Sequence, residues 1–149
     1  RQTSSTHGAN GYITTDQQEI ARILLRLKTK LESAVDTFSF YEGFSADESD
    51  TLIIAYGVTA RAAKSVYKEL AGAGKPVHLL ILKTLWPVPE NVIRKAAENV
   101  KRVVVVEMNL GQYVREIERI LVDKKVDFCG QMDGGLISPD KIREAVTNG

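Results

Sequence analysis

The last two-thirds of the chain contain four short, almost continuously apolar runs, at residues 51–56, 77–82, 102–107 and 126–130. Amphipathic runs stand between them at residues 59–72, 89–99 and 110–122, and another follows at 138–146. Strands that are apolar along their whole length are buried on both faces, as in parallel sheets covered by helices. The pattern therefore predicts a three-layer α/β sandwich with a mostly parallel sheet.

The first 48 residues follow a different pattern. Residues 1–14 are rich in Ser, Thr and Gly and predict a linker or an extended arm. Thr15 and Gln18 fit a capping box, which predicts a long helix that begins there and ends near Phe38. Residues 40–48 predict a connecting loop. The domain prediction is thus an arm (1–14), an N-terminal helix with its loop (15–48) and an α/β domain (49–149).

The predicted N-terminal helix carries a narrow apolar stripe, because its apolar residues recur at alternating spacings of four and three. A helix with such a stripe docks on another surface. That surface is either the sheet of this domain or a neighbouring domain or subunit, and the sequence leaves both open. The stripe consists of Ile20, Leu24, Leu27, Leu31, Ala34 and Phe38.

Charge and composition narrow the function classes. The chain has 20 Lys and Arg against 19 Asp and Glu, a net charge of +1, with the basic residues spread among acids. This balance argues against binding to nucleic acid or to an anionic membrane. No apolar stretch approaches the roughly 20 residues of a membrane span, and no signal peptide is recognisable. We therefore expect a soluble, cytoplasmic protein.

One cysteine and two histidines are too few for an iron–sulfur cluster or a usual zinc site within this chain. Cys129 lies in a short apolar run and predicts a buried, inert thiol. His78 stands among apolar strand residues and predicts a hydrogen-bonded core histidine. His7 lies in the arm, and the sequence leaves open whether the arm carries it into a neighbouring active site.

Right-handed crossovers place four loops on one edge of the predicted sheet, at residues 57–59, 83–87, 107–112 and 131–137. A dinucleotide site requires G-x-G-x-x-G after the first strand, but the turn there, YGVTA, has one glycine. No G-x-S-x-G nucleophile motif is present either. A small anion at the helix start near Thr59 stays open as an alternative, because free N–H groups favour anions there.

The loop at residues 107–112 and the nearby Trp86 supply the strongest site candidates. Asn109 fits a helix N-cap with Gln112 completing a capping box, and Gly111 permits close approach of another backbone or a ligand. Glu107, at a strand end facing a helix start, suits hydrogen bonding better than general-acid catalysis. Trp86 lies in a stiff, Pro-rich loop and predicts an interface anchor.

Several stretches, in order, resemble one family. They are STHG and GYITTD in the arm, LIIAYG at residues 52–57, TLWPVP at 84–89 and VVVVEMNLGQYVREIE at 103–118. Together they resemble the closing domain of the alpha chain of 2-oxoacid:ferredoxin oxidoreductases, the 2-oxoglutarate type in particular. That domain is shared with the C-terminal region of transketolase, so the resemblance implies a transketolase C-terminal-domain-like fold.

The resemblance also implies a function and partners. In this family the alpha and beta chains hold thiamine diphosphate between them, and the beta chain holds Mg²⁺ and the iron–sulfur clusters. The complete enzyme decarboxylates a 2-oxoacid oxidatively, transfers the acyl group to coenzyme A and reduces ferredoxin. The upstream alpha-chain domains are not in this sequence, so the isolated chain is expected to bind none of these cofactors and to be inactive.

Two hypotheses follow. In the first, the chain is a structural and interface domain of such an alpha subunit, in contact with the other alpha-chain domains and the beta subunit. Its interface or site-edge residues are then Trp86, Glu107, Asn109, Gly111 and Gln112. In the second, the chain is a free-standing α/β domain that binds a small anionic ligand at the helix starts near Thr59 and Asn109.

Overall fold

The computed structural model describes residues 5–148, and the chain divides into two compact units, with the boundary between Phe38 and Ser39. The first unit holds helices α1 (Gln17–Glu32) and α2 (Val35–Phe38). The elements of the second unit are β1 (Tyr41–Phe44), β2 (Thr51–Tyr56), α3 (Thr59–Gly72), β3 (His78–Leu82), α4 (Glu90–Ala96), β4 (Arg102–Glu107), α5 (Val114–Ile120), β5 (Lys125–Gly130) and α6 (Pro139–Thr147).

The second unit confirms the predicted fold class. Its five strands form one sheet in the order β1-β3-β2-β4-β5, in which only β1 runs antiparallel to its neighbour. Alternate residues of the central strands enter two separate cores, as the pleat requires. Leu52 and Ile54 face the core under α4 and α5, whereas Ile53 and Ala55 face the core under α3 and α6.

The predicted connecting loop at residues 40–48 is wrong in part, because β1 lies within it and pairs with β3. This edge strand is four residues long and contains a glycine, so its pattern is weak. Tertiary contacts stabilise it. The Glu42 carboxylate accepts a hydrogen bond from Lys64 on α3 at 2.6 Å and forms an ion pair with Lys83, which follows β3, at 2.7 Å.

The arm and the first helix differ from the prediction in two details. Asp16 caps α1 instead of Thr15, since the Asp16 Oδ1 accepts the backbone N–H groups of Gln18 and Glu19 at 2.8 and 3.2 Å. The helix also ends at Glu32 and does not continue to Phe38. At the break the Thr37 hydroxyl donates to the Ala34 carbonyl at 2.7 Å, one of the local side-chain bonds that compete with helix continuation.

No residue of α1 is buried, and four of its leucines are exposed. Residues 1–4 of the predicted arm lie outside the described residues. In the described part of the arm, His7 and Ile13 form an isolated antiparallel bridge. Within residues 5–148, none of the helices combines the length and the apolar character that crossing a bilayer requires.

Candidate functional site

A completely buried carboxylate organises the loop after β4. Glu107 is 0% exposed. Its Oε1 accepts the backbone N–H of Val114 at 2.7 Å, and its Oε2 accepts the backbone N–H of Tyr113 at 2.8 Å. Oε2 also accepts the Tyr56 hydroxyl, at 2.7 Å. Because the first N–H groups of a helix have no partner within the helix, Glu107 takes over the capping of α5.

Asn109 shapes the turn that precedes this helix. Its Oδ1 accepts the backbone N–H groups of Gly111 and Gln112 at 2.8 and 3.0 Å. Its Nδ2 donates to the Tyr56 hydroxyl oxygen at 2.9 Å. The prediction that Asn109 is the N-cap of a helix beginning at residue 110 is wrong, because α5 begins at Val114 with Glu107 on its N–H groups.

Gly111 is required by the backbone of this turn. Its φ is +84°, a conformation that other residues adopt only at a cost. A Cβ at this position would also lie 3.2 Å from Cγ1 of Val114. The close neighbour of Gly111 is a side chain in the first turn of α5, and the approach of another backbone or a ligand stays a prediction.

Two tyrosines complete the arrangement, and we call Tyr56, Glu107, Asn109 and Tyr113 the Glu107 network. The two rings meet edge to face, with their centroids 5.4 Å apart. Burial raises the pKa of both hydroxyls, and the hydrogen bond to Glu107 raises the pKa of Tyr56 further. The Tyr113 hydroxyl also donates to the Leu85 carbonyl at 3.4 Å, which links the network to the loop after β3.

The four loops at the carboxyl edge of the parallel strands each expose a large apolar side chain. Trp86 is 76% exposed and Leu110 73% exposed, and three further side chains follow the same pattern. Exposed apolar residues on this scale mark interaction surfaces. We call this set the loop face. Its members are Val58, Trp86, Leu110, Met132 and Leu136.

The other candidate residues serve the fold. Cys129 is buried, as predicted, and burial raises the pKa of its thiol. His78 is half-buried. The Nδ1 of its ring accepts a hydrogen bond from the Ala46 N–H at 3.5 Å, and the Nε2 of the same ring lies 3.1 Å from the Ser49 carbonyl oxygen. The hydroxyl of Thr59, at the start of α3, is buried and donates to the Tyr56 carbonyl at 2.8 Å, with the Val106 carbonyl oxygen as a longer alternative acceptor at 3.2 Å.

This geometry does not resemble a catalytic centre. The Glu107 carboxylate is enclosed by its own hydrogen-bond donors and offers no face to a substrate. Among residues 5–148, His, Cys, Asp and Glu side chains do not gather in groups of three or more that could hold a metal ion. What the site does is fix the backbone of residues 107–113, and with it the direction in which Leu110 and its neighbours project.

The structure brings most of the predicted site residues together. Glu107 and Asn109 share the network, and Gly111 and the exposed Gln112 belong to the same turn. Trp86 lies on the adjacent loop. Their role at an interface stays a prediction. Sequence reasoning missed the two network tyrosines and the apolar loop residues other than Trp86. A tyrosine at the end of an apolar strand, and large apolar residues inside predicted loops, were the available signals.

Residues 49–142 match the family described as pyruvate:ferredoxin oxidoreductase core domain II. Over 146 residues the chain is 38% identical to the 2-oxoglutarate synthase subunit KorA of Archaeoglobus fulgidus. This alignment covers 97% of the chain and 40% of the relative, so the chain spans about two fifths of that subunit's length.

Two solved structures show the same fold. The first is a 2-oxoglutarate:ferredoxin oxidoreductase from Magnetococcus marinus with 2-oxoglutarate, coenzyme A and succinyl-CoA bound. It is 21% identical with a TM-score of 0.80, and covers 98% of this chain and 26% of its own. The second, a split-gene transketolase in an inactive beta4 tetramer, is 19% identical with a TM-score of 0.60. It covers 72% of this chain and 40% of its own.

Proposed function

Because this chain belongs to the pyruvate:ferredoxin oxidoreductase core domain II family, we propose that it is the non-catalytic C-terminal domain of the alpha subunit of a 2-oxoacid:ferredoxin oxidoreductase. Within that enzyme its loop face packs against other parts of the alpha subunit or against the beta subunit. The similarity to a 2-oxoglutarate synthase subunit favours 2-oxoglutarate as the substrate of the whole enzyme.

One observation carries the interface role. Each carboxyl-edge loop exposes a large apolar side chain. The hydrogen bonds of the buried Glu107 network fix the backbone of one of these loops, residues 107–112. Exposing such side chains to water is unfavourable by about 25 cal/mol per Å², so a surface that collects them is stabilised by a partner. A rigid loop also loses little conformational entropy on binding.

The cofactors of the proposed enzyme do not fit the residues of this chain. An iron–sulfur cluster requires several thiolates, and the one cysteine is buried. Of the two carboxylates in the carboxyl-edge loops, Glu107 is buried and accepts three hydrogen bonds, and Asp133 accepts hydrogen bonds from Gln131 and Gly135, so both are already engaged and a Mg²⁺ site is disfavoured. Thiamine diphosphate, Mg²⁺ and the clusters therefore belong to other domains, and the electrons pass to ferredoxin without the participation of this one.

The alternative function, binding of a small anion near Thr59 and Asn109, is less well supported. Near Asn109 the N–H groups of residues 111–114 already donate to Asn109 or Glu107. The buried Thr59 hydroxyl donates to a main-chain carbonyl. An anion near Asn109 would compete with acceptors for donors that are already used, and an anion at the start of α3, where no side chain caps the helix, would lack the Thr59 hydroxyl as a donor.

The proposal is tested on the complete alpha subunit that contains this chain, purified with its partner subunit. We expect reduction of ferredoxin that depends on coenzyme A and is fastest with 2-oxoglutarate. Faster turnover of pyruvate or a branched-chain 2-oxoacid would refute the substrate, and no turnover of any 2-oxoacid would refute the enzyme class.

The interface role is tested by Leu110→Asp with Val122→Asp as the matched control. Both side chains are exposed, at 73% and 84%, but Val122 follows α5 at the opposite edge of the sheet. We expect Leu110→Asp to lower the melting temperature of the assembled enzyme and its activity, while Val122→Asp changes neither. Equal effects of the two substitutions would contradict the role of the loop face.

A further inference from the structure

Helix α1 carries an apolar stripe whose leucines are exposed. Leu24, Leu27 and Leu31 are 54%, 43% and 44% exposed, and they recur at the alternating spacings of a helix-packing seam. The stripe is narrow, and the helix contains no aromatic residue. A helix that lies in a lipid interface has a broader apolar face and usually an aromatic side chain, so these features favour packing against protein.

The charges beside the stripe indicate what it packs against. With Leu24 and Leu31 at position a of a heptad and Leu27 at d, Lys28 and Lys30 occupy the flanking e and g positions. Lys28 has only a long, exposed contact of 3.8 Å with Glu32, on the outer side of the helix. The seam is therefore bordered by lysines that no close carboxylate within α1 neutralises.

A second copy of α1 does not supply the missing carboxylates. The two acidic residues of the helix, Glu19 and Glu32, lie at positions c and b, away from the seam. The flanking positions hold Ala21, Ile23 and the two lysines. Self-association would thus set lysines beside apolar groups or beside each other, and neither arrangement is favourable.

The extent of the structural similarity points to a partner within the oxidoreductase. The alignment with the oxidoreductase structure covers 98% of this chain and therefore includes α1. The alignment with the transketolase covers 72% of this chain, a share about as large as the second unit. The matched relative is also much longer than this chain, which leaves most of a subunit as a possible partner. The first unit is thus common to this chain and the oxidoreductase.

We propose that the α1 stripe docks on an apolar surface bordered by carboxylates on another part of the same oxidoreductase subunit, where Lys28 and Lys30 pair with those carboxylates. This inference rests on the proposed function for the identity of the partner. The stripe, its exposure and the lysines at its border are features of this chain alone.

Thiol labelling in the assembled enzyme tests whether the stripe is covered. Leu27→Cys places a thiol on the seam, and Leu25→Cys places one a single residue away on a side chain that is 63% exposed. Maleimide labelling is followed by peptide mass spectrometry. We expect similar rates for the two variants in the 149-residue chain, but at least tenfold slower labelling of L27C than of L25C in the enzyme. Equal rates in the enzyme would overturn the inference.

Charge reversal tests the chemistry of the partner. The double variant Lys28→Glu/Lys30→Glu reverses the border of the seam, and Arg22→Glu/Arg26→Glu makes the same charge change away from it. We expect the first pair to accelerate L27C labelling in the enzyme by at least fivefold and the second pair to leave it within twofold. Equal effects of the two pairs would exclude an acidic border on the partner.

Competing occupants and the proposed function are distinguished in the same experiments. Concentration-dependent dimers of the 149-residue chain that L24Q abolishes would assign the stripe to a second copy and overturn the inference, as would flotation with vesicles of anionic lipid. If L27C is protected from labelling in an assembly that has no 2-oxoacid activity, the proposed function is refuted but the docking is not. If L27C is labelled as fast as L25C in a fully active enzyme, the docking is refuted but the proposed function is not.

Discussion

Replacing Glu107 with Gln removes the charge from the buried carboxylate while preserving its shape. If the amide oxygen takes the place of Oε2, it still accepts the Tyr113 N–H and the Tyr56 hydroxyl. The amide nitrogen then faces the Val114 N–H, which Oε1 accepts at 2.7 Å in the native chain. One hydrogen bond is lost, and two N–H donors then face each other in a site with 0% exposure. The two remaining hydrogen bonds have a neutral acceptor in place of a charged one.

The expected cost follows from these three changes. A buried donor without a partner costs about 1–3 kcal/mol, and a bond to a charged group contributes roughly 1 kcal/mol more than a neutral one. With two bonds affected, the sum is a decrease of about 3–5 kcal/mol in the free energy of unfolding. In the opposite amide orientation the nitrogen would face the Tyr113 N–H, so one backbone donor loses its acceptor in either case.

Urea unfolding followed by circular dichroism measures the effect, with the slope against urea expected to stay unchanged. The matched control is Glu118→Gln, which removes an exposed carboxylate from the same helix and should change the free energy by less than about 0.5 kcal/mol. Tyr56→Phe should cost about 2 kcal/mol, since it removes one of the three donors to the Glu107 carboxylate and the acceptor of the Asn109 Nδ2 hydrogen bond. If Glu107→Gln behaves like Glu118→Gln, the network does not stabilise this loop as described.

Three further predictions concern stability. Arg102→Met should cost about 3 kcal/mol in the same urea assay, because it leaves the partly buried Asp127 with only its longer contact of 3.7 Å to Lys125 and removes two hydrogen bonds from the end of α6. Lys101→Met, at an exposed ion pair, should cost less than about 0.5 kcal/mol. Gly111→Ala should lower the free energy of unfolding by more than Gly134→Ala, for which about 1 kcal/mol is expected. Both glycines have φ +84°, but of the two only Gly111 has atoms close to the position of an added Cβ. Equal losses of stability would show that this crowding has no effect. The hydrogen bonds from Lys64 and Lys83 lower the pKa of Glu42 from 4.5 to about 2, so the contribution of Glu42 to the free energy of unfolding should be present above pH 4.5 and disappear as the pH falls toward 2. Glu42→Gln should therefore destabilise the chain at pH 7 but not at pH 2 when unfolding is measured at both pH values. A difference that does not depend on pH would contradict the ion pairs.

The sequence by itself determined the layers of the second unit. Strands that are apolar at every position can only be buried on both faces, and the helices between them force parallel pairing, so β2, β3, β4 and β5 were predictable to within one residue. The edge strand β1 was not, because its own pattern is weak and it is defined by pairing with β3, which is distant in sequence. Local patterns cannot report such contacts.

The same division applies to the candidate site. The pattern of residues 107–112 placed a carboxylate, an asparagine and a glycine at the carboxyl edge, because strand ends and turn residues are local signals. Only the tertiary structure decided that Glu107 turns inward, since its partners include Tyr56, fifty-one positions away across the sheet. The exposure of Leu110 and the α1 stripe was likewise decided in three dimensions, because an apolar residue has no fixed environment until the chain has folded around it.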